Sequence, residues 1–124
     1  MIIHQILYFL NRINICRYKG FDIRLAFCDI DLKSIPKSII LSHPYAITIR
    51  YGTKIGENCT IRQCVTIGEY NGEKSNTIIG DNVSIGCNSI ILGNIKIGNN
   101  VIISAGSIVL KDIPDNKKVI GLWK

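Results

Sequence analysis

The stretch TIIGDNVSIGCNSIILGNIKIGNNVIISAGSIVL, residues 77 to 110, places isoleucine or valine at every sixth position. An α-helix repeats every 3.6 residues and a β-strand every two, so neither element explains this period. The series starts upstream of this stretch and is broken once, at Glu73, after which it resumes in step. Its members are Ile49, Ile55, Ile61, Ile67, Ile79, Ile85, Ile91, Ile97, Ile103 and Val109.

Two other positions of each hexapeptide are restricted as well. The residue four places after the aliphatic one is small or β-branched, as in Cys59, Val65 and Val83. The residue three places after it is mostly asparagine or glycine, which tolerate the positive φ of a tight corner. The pattern therefore predicts two inward side chains and one corner in every six residues. The corner residues are Gly52, Asn58, Cys64, Asn82, Asn88, Asn94, Asn100 and Gly106.

Short strands joined by such corners describe a parallel β-solenoid with three hexapeptides, or about 18 residues, in each coil. Coils about 4.8 Å apart would stack the aliphatic side chains into one continuous core. An antiparallel sandwich would show a period of two, and a coiled coil a period near 3.5. The repeat alone leaves the hand of the coil open.

Composition suits one domain, since the chain has 124 residues and a single repetitive core. The net charge of +6 favours anionic partners such as phosphates, acidic glycans or a membrane surface. Five cysteines without a C-x-x-C pair argue against a disulfide framework and against a structural zinc site. A reducing cytoplasm is the expected location.

The N-terminal segment is apolar but shows neither a signal-peptide pattern nor a run long enough to span a bilayer. Ile3, Ile6, Leu7, Leu10 and Ile13 follow helical spacing, which predicts a short amphipathic helix ending near residue 20. We expect it to cover the end of the domain; an interfacial membrane helix is the alternative, and membrane association is not expected. The predicted organisation is a helix and cap over 1–36, a repeat domain over 37–114 and a tail over 115–124.

The polar segment EYNGEKSNT, residues 69–77, interrupts the repeat without shifting its phase. It is therefore predicted to loop out from the solenoid and return. Loops on rigid scaffolds often carry function, and a solvated loop without a role is the alternative.

The phrases HPYAITIRYGTKIGENCTIRQCVTIG, SAGSIVLKDIPDN and VIG, together with the loop position, resemble the hexapeptide-repeat acyltransferases over about residues 40 to 121. The resemblance is to the serine acetyltransferase-like branch, which includes O-acetyltransferases of polysaccharide gene clusters. It implies a left-handed parallel β-helix and a homotrimer. It also implies acetyl transfer from acetyl-CoA bound in the groove between neighbouring subunits.

Acetyl transfer to a hydroxyl group needs a base, and histidine is the usual one near neutral pH. The sequence offers two, His4 and His43. His4 lies in the predicted helix, whereas His43, in the phrase SHPYAI, matches the catalytic histidine of the family. The alternative for His43 is a hydrogen-bonded residue at an edge of the solenoid.

The chain departs from the serine-specific pattern on the acceptor side. Ser42 stands where the family has an aspartate before the histidine, and Asn76 stands where it has a second histidine at the end of the loop. Ser75 replaces a nearby arginine. A hydroxyl acceptor is expected, and free serine and a sugar hydroxyl both stay open.

The resemblance also implies a set of acetyl-CoA contacts. Small residues along the groove would let backbone groups reach the pantetheine arm, and lysines would neutralise the phosphates. Each is equally compatible with an ordinary corner or a solvated basic tail. The implied positions are Gly68, Cys87, Ser104, Ala105, Gly106 and Lys111, with Lys117, Lys118 and Lys124 as further cations.

Other functions fit the sequence less well. An acyl-cysteine route is disfavoured because Cys59 is at an inward position, and Cys64 and Cys87 have no assigned histidine partner. A carbonic anhydrase of this fold needs three histidines around zinc, so no metal site is expected. The aromatic residues are not interleaved with basic ones, so no nucleic-acid partner is expected. A catalytically degenerate structural trimer remains the alternative function.

Overall fold

The computed structural model describes residues 28–30, 35–72 and 76–124, and within those ranges it contains strands and no helix. The predicted N-terminal helix lies outside the described residues. The strands are β1 (Asp29–Ile30), β2 (Ile40–Ser42), β3 (Thr48–Ile49), β4 (Lys54–Ile55), β5 (Thr60–Arg62), β6 (Thr66–Gly68), β7 (Ile78–Ile79), β8 (Ser84–Ile85), β9 (Ile90–Leu92), β10 (Lys96–Ile97), β11 (Ile102–Ile103), β12 (Ile108–Val109), β13 (Lys118–Val119) and β14 (Leu122–Trp123).

The strands form three parallel sheets. Sheet A has the order β1-β3-β6-β9-β12-β14, sheet B the order β2-β5-β8-β11-β13, and sheet C the order β4-β7-β10. From β4 onward the chain visits sheets C, B and A in turn. We name the corners after the sheets that they join: the CB, BA and AC corners. The predicted parallel solenoid with three faces is confirmed.

Strand registers measure the length of each coil. Ser84 pairs with Ile102, eighteen positions later, and Ile90 pairs with Ile108 at the same separation. Thr66 pairs with Ile90, twenty-four positions later. The segment 69–77 therefore inserts six extra residues at an AC corner, which is why the repeat keeps its phase.

The core consists of the inward aliphatic positions stacked from coil to coil. Ile61 pairs with Ile85, and Ile67 with Ile91, and all four side chains are fully buried. Burying such a side chain contributes about 1.5–3 kcal/mol. Two inward hydroxyls are satisfied by backbone carbonyls of the next coil: the Thr77 side chain donates to the Gly93 carbonyl at 2.9 Å, and the Ser89 side chain donates to the Ser104 carbonyl at 3.2 Å.

The CB corner is closed by a ladder of side chains. Asp81 Oδ1 accepts from the Glu57 backbone N–H of the preceding coil at 2.8 Å, and Asn99 Oδ1 accepts from the Asp81 N–H at 2.8 Å. Asp115 Oδ1 accepts from the Asn99 N–H at 2.7 Å. Each of these side chains therefore points toward the coil before it and satisfies an amide that the turn leaves unpaired.

Strand pairing continues at both ends of the repeat. The strand β1 pairs with β3, and β14 pairs with β12, so that Trp123 packs on the core and its Nε1–H donates to the Asp112 carbonyl at 3.1 Å. The predicted boundaries at residues 36 and 114 stay predictions. No helix among the described residues is long and apolar enough to cross a bilayer.

Candidate functional site

His43 lies at the BA corner of the first coil, in a turn with two extra residues. Ser42 pairs with Arg62 across sheet B, twenty positions on, whereas Thr48 pairs with Thr66 across sheet A at the usual eighteen. The Cys64 N–H donates to the Tyr45 carbonyl at 2.9 Å, as Asn88 does to Gln63 one coil later. Tyr45 is thus equivalent to Gln63, the residue directly before the corner residue Cys64, and His43–Pro44 is the insertion. Pro44 is buried beneath it and the His43 side chain is exposed.

Unusual backbone conformations cluster around this histidine. His43, Ala46 and Cys64 have φ of 52°, 50° and 58°, and every other non-glycine residue with positive φ in the described ranges is an asparagine. Holding such residues in the left-handed region costs on the order of 1–3 kcal/mol each, and such strain concentrates at functional sites. The Tyr45 N–H donates to the His43 carbonyl at 2.7 Å, which closes the turn.

Several of the predicted cofactor residues lie along the same edge as His43. Cys87 occupies the BA corner two coils further, and Ser104, Ala105 and Gly106 form the corner after that. The Gly106 N–H donates to the Cys87 carbonyl at 2.9 Å, so these corners stack directly. Three coil steps separate His43 from Ala105, or about 14 Å along the edge.

The backbone along this edge is closely packed. A Cβ added to Gly86 would lie 2.8 Å from the Ala105 Cα, so only glycine fits there. Ala105 and Gly106 are exposed, and Ser104 and Cys87 are half-buried. The edge therefore presents backbone groups and small side chains to whatever binds against it.

The remaining predicted residues lie on the opposite edge of sheet A. Gly68 ends β6, Asn76 follows the polar loop, and Lys111 follows β12, all at AC corners. The Asn76 N–H reaches Asn94 Oδ1 at 3.3 Å, and Lys111 Nζ lies 5.0 Å from the centre of the Trp123 ring. Within one chain the predicted site is thus divided between the two edges of sheet A.

The outer face of sheet A between those edges is apolar in its later coils. Ile108 is 38% exposed and Leu122 is 55% exposed, with Ile90, Leu92 and Leu110 half-buried beside them. Outward positions of sheet B are mixed instead, with Arg62, Ser84 and Lys118 among them.

A cavity of about 450 Å³ opens at the N-terminal end of sheet A. Asp29, Arg50, Gly68 and Glu69 line it, and Arg50 forms an ion pair with Glu69. Sequence reasoning named Gly68 here and missed the charged residues. Asp29 precedes the repeat, and Arg50 stands at an outward position where any polar residue is allowed, so no sequence signal distinguished them.

Gln63 is a further residue that the sequence did not indicate. Its Oε1 is buried without a hydrogen-bond partner. It directly precedes the corner residue Cys64 and lies one coil above Tyr45, next to the His43 turn. A buried acceptor of this kind is satisfied when a bound molecule donates to it.

The thiols differ in environment. Burial raises the pKa of Cys59, whose Sγ lies 3.1 Å from the Gly80 carbonyl. Burial also raises the pKa of Cys28, whose Sγ donates to the Pro44 carbonyl at 3.1 Å behind the His43 turn. Cys64 is exposed and Cys87 half-buried. Across the described ranges, no three His, Cys, Asp or Glu side chains are grouped so as to hold a metal ion.

Comparison with known proteins shows that the chain is similar to proteins named as acetyltransferases. Residues 76–111 match the family described as bacterial transferase hexapeptide (six repeats). The Escherichia coli K12 protein named "Putative colanic acid biosynthesis acetyltransferase WcaB" is 40% identical over 103 residues, covering 82% of this chain and 60% of that protein. The serine acetyltransferase of Bacillus pumilus is 34% identical over 122 residues, covering 94% of this chain and 53% of that enzyme.

Solved structures agree with these matches. The serine acetyltransferase of Neisseria gonorrhoeae in complex with serine superposes with a TM-score of 0.64 at 39% identity, covering 68% of this chain and 35% of that one. The soybean serine acetyltransferase apoenzyme gives a TM-score of 0.64 at 36% identity, covering 67% and 35%. The chain thus spans between a third and three fifths of the length of these relatives.

The predicted left-handed parallel β-helix is confirmed by the three parallel sheets together with these likenesses. The family resemblance seen in the sequence is confirmed in the same way. Residues 76–111 belong to the hexapeptide-repeat family of bacterial transferases, and the chain as a whole is similar to serine acetyltransferases and to the colanic acid acetyltransferase.

Proposed function

We propose that this protein transfers an acetyl group from acetyl-CoA to a hydroxyl acceptor, with His43 as the general base. The observation that carries the proposal is the two-residue insertion that holds His43 exposed at one end of the BA edge. Its relatives include enzymes named as serine acetyltransferases and as a colanic acid acetyltransferase. Free serine and a sugar hydroxyl are therefore the two acceptor classes to test.

In the proposed reaction, the His43 ring takes the proton of the acceptor hydroxyl as its oxygen attacks the thioester carbonyl. A carbon–oxygen bond forms, the carbon–sulfur bond breaks, and the proton passes from His43 to the departing thiolate. Exposed backbone amides near the BA corner are candidates for stabilising the oxyanion, a contribution often worth about 3 kcal/mol per donor.

Acetyl-CoA is proposed to lie along the BA edge, with its thioester near His43. Cys87, Ser104, Ala105 and Gly106 offer a row of small side chains and backbone groups that suits an extended pantetheine arm. Lys111, Lys117, Lys118 and Lys124 are all exposed in the last coil, with Lys111 at an AC corner and Lys118 in sheet B, and each would neutralise a phosphate that reaches it as a point charge.

A homotrimer would complete the site. The predicted residues occupy both edges of sheet A, and the face between them is apolar. Packing such a face against a second copy buries apolar surface. It would bring Gly68 and Asn76 of one protomer toward the BA edge of the next. The cavity beside Arg50 and Glu69 would then adjoin the acceptor.

The test is a mass-spectrometric transfer assay with acetyl-CoA and a panel of serine, other small hydroxyl compounds and sugars. Replacing His43 with Ala should lower kcat by about 100-fold or more, because a positioned base contributes 10²–10⁴ in rate. The KM for acetyl-CoA should change little. Lys54→Ala, at an exposed position of sheet C, is the matched control. Near-normal turnover by His43→Ala would refute the assignment.

The alternative is a structural trimer without catalysis. It predicts no acetylated product from any acceptor and no rise in melting temperature on adding CoA. A thermal shift with CoA together with a blank acceptor screen would instead indicate a binding protein that has lost its acceptor chemistry.

A further inference from the structure

Two thiols of the BA edge lie on adjacent coils, Cys64 between β5 and β6 and Cys87 between β8 and β9. The Asn88 N–H donates to the Gln63 carbonyl at 3.1 Å, which joins the peptide before Cys64 to the peptide after Cys87. With coils about 4.8 Å apart and neighbouring Cα atoms about 3.8 Å apart, the two cysteine Cα atoms lie diagonally about 6 Å from each other. Disulfides bridge Cα separations of about 4.4 to 6.8 Å.

The direction of the Cys87 side chain also suits a bridge. Cys87 follows Ile85 by two residues, the hexapeptide position that Asp81, Asn99 and Asp115 occupy at the CB corner. All three of those side chains bond to the coil before them. The residue after Cys87 has φ of 57°, as Asn82 has 55°, so the two corners turn alike. Cys87 therefore points toward the coil that carries Cys64.

The other described cysteines are poorly placed for such a bond. Cys59 is buried, with its Sγ against the Gly80 carbonyl. Cys28 precedes Asp29, which pairs with Thr48, which in turn pairs with Thr66. The Cα atoms of Cys28 and Cys64 are thus two coils apart, or about 10 Å, which is beyond the Cα separation that a disulfide bridges.

We propose that Cys64 and Cys87 form a dithiol site that a peroxide converts to an intramolecular disulfide. The exposed Cys64 thiolate attacks one oxygen of hydrogen peroxide, giving a sulfenic acid and releasing hydroxide, which takes up the thiol proton as water. The Cys87 thiolate then attacks the Cys64 sulfur, the sulfur–sulfur bond forms, and the second oxygen leaves as water. Two thiols lose two electrons, and one peroxide gains them.

Oxidation should also close the BA edge to acetyl-CoA, and this consequence rests on the proposed function. A bridge between the corners of two coils occupies the space above Cys87 that the pantetheine arm would need. Oxidised protein should show no thermal shift with acetyl-CoA, and dithiothreitol should restore it.

The disulfide itself is tested without acetyl-CoA. Cleavage with trypsin leaves Cys64 in the peptide 63–74 and Cys87 in the peptide 75–96. Each of the other cysteines is in a different peptide. After mild treatment of the full-length protein with hydrogen peroxide and alkylation of free thiols, peptides 63–74 and 75–96 should appear joined. Their mass should be lower than their sum by two hydrogen atoms. Cys64→Ser and Cys87→Ser should each abolish the joined product, and Cys28→Ser should keep it.

Mixing ¹⁵N-labelled and unlabelled protein before oxidation separates a bond within one chain from a bond between protomers. Joined peptides that carry both labels would overturn the proposal. So would recovery of both peptides unjoined, whether alkylated or carrying sulfinic acid. If the joined product forms but acetyl-CoA produces no shift even in reduced protein, the disulfide stands and the proposed function fails.

Discussion

At the scale of single residues, the corners differ in how well the side chain suits the positive φ of the backbone. Asn58, Asn82, Asn88, Asn100 and Asn116 occupy positive φ at a low cost, since their short polar side chains suit that conformation. Cysteine has no such advantage, and Cys64 keeps φ of 58° beside the His43 turn. Backbone preference therefore does not explain the cysteine at this corner.

Replacing Cys64 with Asn should stabilise the fold by about 1 kcal/mol, because asparagine relieves part of the strain at that corner. For a domain of this size, that corresponds to a rise in melting temperature of a few degrees. Differential scanning calorimetry measures the change. Cys64→Val, whose branched side chain resists positive φ, is the opposing control and should melt lower. A lower melting temperature for Cys64→Asn would mean that the thiol itself supports the corner.

The raised pKa of Cys59 makes a prediction about pH. Burial keeps this thiol protonated in the folded state at pH values where the unfolded chain ionises. Its contribution to stability is present below the unfolded pKa and is lost as the pH rises above it. The free energy of unfolding measured with urea should therefore fall more between neutral and alkaline pH for the wild type than for Cys59→Val. An equal fall in the free energy of unfolding with pH for the two proteins would contradict this expectation. Valine suits this position because Val65 and Val83 occupy it in neighbouring hexapeptides.

At the scale of elements, the polar loop and the coil that carries it are separable. The loop lengthens one coil by six residues without changing the register on either side. The loop is flanked by Glu69 and Asn76. Without the loop, these two residues would follow Ile67 by two and three places, as Glu57 and Asn58 follow Ile55. The fold therefore does not depend on the loop.

Deleting residues 70–75 should create the hexapeptide IGENTI, which matches the corner of Ile55, Gly56, Glu57 and Asn58. The shortened coil would have the usual eighteen residues, so the melting temperature should stay within a few degrees of wild type or rise, because the loop no longer has to be ordered. Acetyl transfer should be lost if the loop serves the acceptor side. Circular dichroism and the transfer assay report the two effects separately. Full activity of the deletion variant would leave the loop without a role.

At the scale of the whole molecule, the apolar face of sheet A and the divided site point to the same assembly. One protomer offers His43 on one edge and Asn76 on the other, and sheet A separates them. In the proposed trimer, a second copy against that face would supply the missing half of each proposed site. Assembly and activity should therefore fail together.

Replacing Ile108 with Lys should dissociate the proposed trimer, because an unpaired charge would be buried at the interface. Sedimentation equilibrium at micromolar concentration measures the assembly, and the transfer assay should show activity falling with it. Ile102→Lys, at an exposed outward position of sheet B, is the matched control and should remain trimeric. A wild-type protein that sediments as a monomer would remove the basis for a site between subunits.

The fold and the family were predictable because the repeat is dense, and each hexapeptide carries its own inward and corner residues. The roles of His43, Ser42 and the acetyl-CoA residues stay predictions, with their placement now known. Asp29, Arg50 and Gln63 could not be anticipated, since outward positions of a solenoid accept most polar residues and only contact between coils gives them neighbours.

The sequence by itself determined the three-sided coil, the corner positions and the phase of the loop, because each depends on interactions within a few residues of the same hexapeptide. The tertiary structure alone decided that His43–Pro44 is an insertion, that Cys64 and Cys87 lie on adjacent coils, and that the predicted site divides between two edges of sheet A. These relations depend on the register between coils. That register is set by the stacking of the entire core, and residues 18 to 24 positions apart become neighbours only once it has formed.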